Sequence, residues 1–218
     1  MFTGGYTSTG SKFSAVDAYN ISLTRSAATP LSVAKLNMAA TTVGNYAIFA
    51  GGDFSTYPNQ YTAVVETYNT SLTRTTATAL SKARTSIAAT TVGNYALFAG
   101  GYSDKGYFNS VDVYNTSLTR TTTTLNKAKS DMAATTIGNY ALFAGGFNDN
   151  NNYATIDVYN TSLTRSTTNL SFKGAPTAAT TTVGNYALFA KGISDSDTES
   201  PVDVFDTLLT RTTTTPLS

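Results

Sequence analysis

The decapeptide VGNYALFAGG (residues 92–101) decides how this chain is read, because it returns as IGNYALFAGG at 137–146 and in close variants at 43–52 and 183–192. The N-terminal MFTGG (1–5) matches its last part. Glycine pairs begin at Gly4, Gly51, Gly100 and Gly145, with Lys191-Gly192 in the fifth place, so the spacings are 47, 49, 45 and 46 residues. A period near 47 lies in the range of propeller blades, about 40–50 residues. A second landmark keeps the same phase: the tripeptide LTR ends at Arg25, Arg74, Arg120, Arg165 and Arg211.

One period, taken from Met132, holds four short segments of strand character. MAATTIGN is a small-residue strand (A) ending in a Gly-Asn turn, and YALFAGG is an apolar run (B) stopped by glycines. TIDVYN alternates β-branched with polar or aromatic residues (C), and after the NTSL turn TRSTTNLS alternates threonines (D). No segment carries a 3.6-residue apolar period. The fold class expected is therefore all-β, a propeller of four-stranded antiparallel blades. Strand B is apolar on both faces because a blade is sandwiched between two others. Strand A is small where blades converge, and threonine-rich D suits a solvated edge. A single domain spans 1–218, with units at about 2–36 (partial), 37–85, 86–130, 131–176 and 177–218.

Charged residues make up 12% of the 218, about half the usual share, while hydrophobic content is 41%, which excludes a disordered tail and a basic nucleic-acid-binding domain. The net charge of +1 selects no charged partner. The chain has no Cys and no His, which removes disulfides, thiolate chemistry and Ser-His-Asp or Cys-His triads. No basic-plus-apolar leader is present and no apolar run approaches the roughly 20 residues of a membrane span. A soluble chain is expected, with no cofactor, no bound metal, and neither nucleic acid nor membrane as partner.

With the double glycine of ALFAGG, a variable loop and then VDVYN, each unit resembles a kelch repeat. The resemblance covers five units and departs from the family in having Leu-Thr-Arg where kelch units carry a Trp. It implies a propeller used for binding. The copper-dependent oxidation chemistry of some kelch enzymes needs His and Cys ligands that this chain lacks.

An acid lies eight residues before each LTR arginine: Asp17/Arg25, Glu66/Arg74, Asp112/Arg120, Asp157/Arg165 and Asp203/Arg211. Each pair flanks the C–D hairpin with equal parity, so the two side chains share a face. The fixed spacing favours five in-blade ion pairs over a ring of arginines for an anion. The YNTS or YNIS motif at Asn20, Asn69, Asn115 and Asn160 matches a glycosylation sequon, but a hairpin turn wants the same residues, and the fifth unit uses Asp206.

Residues that break the repeat carry the functional expectation. The A–B and C–D turns are monotonous, whereas the B–C loops and D–A connections, on the opposite face, differ in length and chemistry. The candidate ligand-binding residues are Tyr57, Tyr61, Tyr102, Lys105, Tyr107, Phe108, Phe147, Asp149 and Tyr153 on loops, with Lys35, Arg84 and Lys129 on D–A connections. Loops mixing Tyr, Asn, Asp and Gly on a rigid sheet scaffold have the composition of a recognition surface. NDNNN (148–152) and SDSDTES (194–200) offer oxygen ligands without an EF-hand pattern. The expected function is a non-enzymatic scaffold that recognises a protein or glycan. The alternatives are an assembly protein that forms homo-oligomers through an incomplete blade, and a carbohydrate-active enzyme using loop Asp or Glu.

The incomplete blade comes from the ends. LTRTTTTPLS (209–218) matches LTRSAATPLS (23–32), and the sixteen residues that follow the latter, VAKLNMAATTVGNYAI, would lead into FTGG. The first unit thus holds B, C and D without A. A closed five-blade ring, an open arc that dimerises and part of a longer array are all compatible, and closure is the expectation.

Overall fold

The computed structural model describes residues 1–8, 10–56, 59–149, 151–174, 179–191 and 200–217. Among these there is no helix. Blade 1 has three strands, Phe2–Thr3, Val16–Tyr19 and Arg25–Ala28, and lacks an inner strand. Blades 2 to 5 each have strands A, B, C and D in that spatial order, all antiparallel. Blade 2 comprises Ala39–Val43, Tyr46–Ala50, Val65–Tyr68 and Arg74–Ala77; blade 3 comprises Ala88–Val92, Tyr95–Ala99, Ser110–Asn115 and Arg120–Thr124. Blade 4 comprises Ala133–Ile137, Tyr140–Ala144, Asn151–Asn160 and Arg165–Gly174; blade 5 comprises Ala179–Val183, Tyr186–Ala190, Ser200–Phe205 and Arg211–Leu217.

The turns explain the repeated letters. At each C–D turn the Asn side chain accepts two backbone N–H groups, as Asn115 does from Ser117 at 3.0 Å and Thr119 at 2.9 Å, and Asp206 does the same in blade 5. The leucine of the turn takes a positive φ, 59° at Leu118, a conformation unfavourable for a branched side chain. Leu118, Leu163 and Leu209 offset it by packing into the core.

The double glycine is demanded by crowding. A Cβ on Gly100, at φ +64°, would lie 2.4 Å from the Lys129 carbonyl of the connection to the next blade; on Gly101 it would lie 2.6 Å from the Thr85 carbonyl of the preceding connection. Only glycine tolerates both the conformation and the approach.

The core lies between blades. Ala39, Val43, Ile48, Ala50 and Val65 of blade 2 pack against Ala96, Phe98 and Tyr114 of blade 3, and equivalent clusters join blades 3 to 4 and 4 to 5. An edge-to-face pair recurs in every blade, Phe98 with Tyr114 at 5.9 Å being one, and Phe49, Phe98, Phe143 and Phe189 are all buried. Each such ring contributes about 1.5–3 kcal/mol by burial. Polar links follow one rule. The C-strand tyrosine donates to a carbonyl at the end of the D strand of the preceding blade or just beyond it, at 2.7 Å for Tyr68 to Thr29 and Tyr114 to Thr78 and 2.6 Å for Tyr159 to Thr124. Inner-strand threonines reach back likewise, the Thr91 hydroxyl donating to the Thr42 carbonyl at 2.5 Å and that of Thr182 to the Thr136 carbonyl at 2.9 Å.

The ring does not close among the described residues, contrary to the sequence expectation. At the three junctions between four-stranded blades an A–B glycine meets the C–D threonine of the next blade, with Thr116, Thr161 and Thr207 facing Gly44, Gly93 and Gly138. Gly184 of blade 5 has nothing within 4 Å of its Cβ position, and Ile21, the counterpart in blade 1, is fully exposed. Phe2 and Val183 are 70% and 62% exposed where Phe98 and Val92 are buried completely. The blades form an open arc with two bare flanks.

Candidate loop-face site

In blades 2, 3 and 4 the B–C loop is a small hairpin anchored to the D–A connection. Asp53–Thr56 pairs with Asn59–Tyr61, Tyr102–Ser103 with Gly106–Tyr107, and Phe147–Asn148 with the start of the blade 4 C strand. Bridges Leu36↔Asp53, Thr85↔Tyr102 and Ser130↔Phe147 fix the first residue of each hairpin, placing loops and connections on one face.

This anchoring aligns aromatic side chains from three blades. Tyr61 and Tyr102 meet edge to face at 5.6 Å, and the Tyr61 hydroxyl donates to that of Tyr102 at 2.9 Å. Tyr102 meets Tyr107 at 5.7 Å, and Tyr107 meets Phe147 at 5.8 Å. All four rings are half-buried, so one side is packed and the other faces solvent. A cleft of about 260 Å³ adjoins the row, lined by Tyr61, Lys82, Ser103, Asp104, Lys105 and Phe108. Lys82, Asp104 and Lys105 are exposed at its rim, while Ser103 is buried and its hydroxyl accepts from the Lys105 N–H at 3.2 Å. The cleft is smaller than an ordinary small-molecule pocket of about 300–1,000 Å³ and suits one ring or one side chain of a longer ligand.

Six of the loop candidates are thus brought together: Tyr61, Tyr102, Lys105, Tyr107, Phe108 and Phe147. Tyr153 stands apart, its hydroxyl donating to Asn148 at 3.1 Å and its ring 5.8 Å from the Lys129 ammonium. Asp149 is exposed. Tyr57 and the acidic run 194–199 lie outside the described residues.

Lys35, Arg84 and Lys129 are not surface groups, which corrects their assignment as ligand contacts. They are buried and reach the C-strand acid of the next blade: Lys35 to Glu66 at 2.8 Å, Arg84 to Asp112 at 2.9 Å, and Lys129 to Asp157 at 3.1 Å. Each acid also holds its in-blade arginine, Arg74 at 3.4 Å, Arg120 at 3.1 Å and Arg165 at 3.2 Å. A backbone N–H of the preceding connection completes the set, from Ser32, Ser81 or Asn126. Burial lowers the pKa of Arg84 and of Lys129, opposed by the facing carboxylates. Asp17 and Arg25 make the corresponding pair in blade 1 at 2.8 Å, exposed. The fifth expected pair differs: among the described residues Asp203 accepts from the Ser171 N–H, while Arg211 donates to the Asn169 carbonyl at 3.0 Å.

The sequence holds a signal that separates these cations. Lys35, Arg84 and Lys129 each stand four residues after the buried leucine that follows the D strand (Leu31, Leu80 and Leu125), whereas Lys82 and Lys127 stand two after it and are exposed. Lys82 and Ser103, absent from the candidate set, line the cleft.

No protein-family model matches the chain, and no curated protein does. Among solved structures, the chain is similar to that of YjhT, with a TM-score of 0.64 at 12% identity, over 86% of this chain and 67% of that one. At that identity the likeness concerns the fold alone.

Proposed function

We propose that the chain is a kelch-type binding module that recognises a protein or glycan with its loop face, without catalysing a reaction on it. The observation that carries this reading is the aromatic row Tyr61–Tyr102–Tyr107–Phe147, continuous across three blades and flanked by a cleft with two lysines and an aspartate at its rim. Rigid, half-exposed rings supply contact area at low entropic cost, and the rim charges orient what lies on them. Glycan and peptide arrays probed with the wild-type chain distinguish the ligand classes. The triple variant Tyr61→Ala/Tyr102→Ala/Tyr107→Ala, which leaves the cores between blades intact, is expected to lose the signal. Full retention of binding by that variant would remove the loop face from consideration.

A further inference from the structure

We propose that copies of this chain assemble head to tail, the bare flank of blade 1 in one copy seating on the bare flank of blade 5 in the next. Strand A apart, which blade 1 lacks, the two surfaces match the two halves of the interface that the chain makes between blades 2 and 3, 3 and 4, and 4 and 5. On the leading flank, Phe2 and Tyr19 form the same edge-to-face pair, at 5.9 Å, that Phe98 and Tyr114 form inside the arc. Phe2, Tyr19, Ile21 and Leu23 are exposed, whereas Phe98 and Tyr114 are buried by the blade before them.

On the trailing flank, Ala179, Leu188, Ala190 and Val202 line an apolar hollow of about 200 Å³. These positions match Ala39, Ile48, Ala50 and Val65, which in blade 2 receive Phe98 and Tyr114. A knob and its socket therefore stand at opposite ends of one molecule. The polar partner is also present: Tyr68, Tyr114 and Tyr159 each donate to the carbonyl four residues after the preceding LTR arginine, and Tyr19 would meet the Thr215 carbonyl in that role.

Lys191 favours a second copy over another covalently joined blade as the occupant. It stands where Gly51 and Gly100 stand, positions at which a Cβ would come within 2.6 and 2.4 Å of a carbonyl in the connection to the next blade. A side chain there is compatible with a neighbour that arrives without that connection, as a separate chain does. The contact is heterologous, so each added copy presents both flanks again and growth continues until geometry closes it.

Sedimentation velocity from low micromolar concentration to the solubility limit tests this. The wild-type chain is expected to show a concentration-dependent series extending beyond the dimer. Two variants, altered only at exposed positions, block one flank each: Tyr19→Lys/Ile21→Lys on blade 1 and Thr181→Lys/Val183→Lys on blade 5. Each alone is expected to be monomeric, and their equimolar mixture to form a dimer and stop there, because the remaining flanks are the blocked ones. A wild-type chain that stays monomeric throughout overturns the proposal. So does association of either variant alone, or a mixture that fails to pair while the wild type associates. Association abolished by the Tyr61/Tyr102/Tyr107 triple variant but not by the flank variants would place self-contact on the loop face instead.

Discussion

Replacing Asp112 by Asn keeps the volume of a fully buried side chain and removes one charge. Asp112 accepts from the Ser81 N–H at 2.9 Å and the Ser81 hydroxyl at 3.1 Å, and pairs with Arg84 at 2.9 Å and Arg120 at 3.1 Å. Arg84 is itself fully buried, and its remaining donors are held by the carbonyls of Gly100, Phe98 and Lys82. It cannot swing out to water, so the substitution strands a guanidinium in the junction between blades 2 and 3. Removing one partner of a buried pair costs about 3–5 kcal/mol. Total stabilities run about 5–15 kcal/mol, so a large share is at stake. Because each blade contacts only its neighbours, the loss stays at that junction, and unfolding is expected to separate into two transitions. Urea denaturation followed by far-UV circular dichroism measures this, with Asp17→Asn as the control, since Asp17 pairs with Arg25 at the exposed end. The double variant Asp112→Asn/Arg84→Met should recover much of the loss. An Asp112→Asn chain within about 1 kcal/mol of wild type, the range of a surface pair, would refute the reasoning.

Three further outcomes follow from the same interfaces. Gly100→Ala should destabilise well beyond Gly106→Ala in thermal melts, because the first meets a carbonyl at 2.4 Å while the second has nothing within 4 Å and carries only its backbone strain, about 1–2 kcal/mol. Tyr114→Phe should cost about 0.5–1.5 kcal/mol by urea titration, the worth of the bond to the Thr78 carbonyl, since Phe205 shows that the ring alone fills this place. Burial pushes Tyr68 up to about 12 and raises Tyr114 and Tyr159 in the same direction. A folded-state pKa above the unfolded value of 10 gives stability that is present below pH 10 and drains as pH rises through the folded pKa. Unfolding midpoints measured above pH 10 should therefore fall, and the Tyr68/Tyr114/Tyr159 triple Phe variant should flatten that fall.

The strands, their order and the double glycines were legible because each blade repeats the same local physics at a fixed period. Asp112 and Arg120 were legible as a pair because both lie in one hairpin. Arg84 was not, since its partner belongs to the next blade and only the four-residue offset from Leu80 hints at burial. The aromatic row was half legible: Tyr102 and Phe147 stood out as repeat-breaking residues, but contacts between loops of unequal length are set by the packing of whole blades. Closure was misjudged because period counting fixes the number of blades and leaves the angle between them open. That angle is decided by side chains such as Thr91 and Thr136, which hold neighbouring inner strands at one separation along the arc.

The openness of the arc can be measured directly, because a chain without cysteine accepts spin labels only where cysteines are introduced. One pair, Asn45→Cys/Thr116→Cys, reports an internal junction, where Thr116 lies 3.3 Å from the Cβ position of Gly44. The other, Ile21→Cys/Asn185→Cys, spans the two flanks. With labelled chains diluted in excess unlabelled chain, so that only distances within one molecule count, pulsed dipolar spectroscopy is expected to give a short distance for the first pair. The second should be clearly longer. Equal distances for the two pairs would mean that blades 1 and 5 meet as blades 2 and 3 do, and the open arc with its two docking flanks would be wrong.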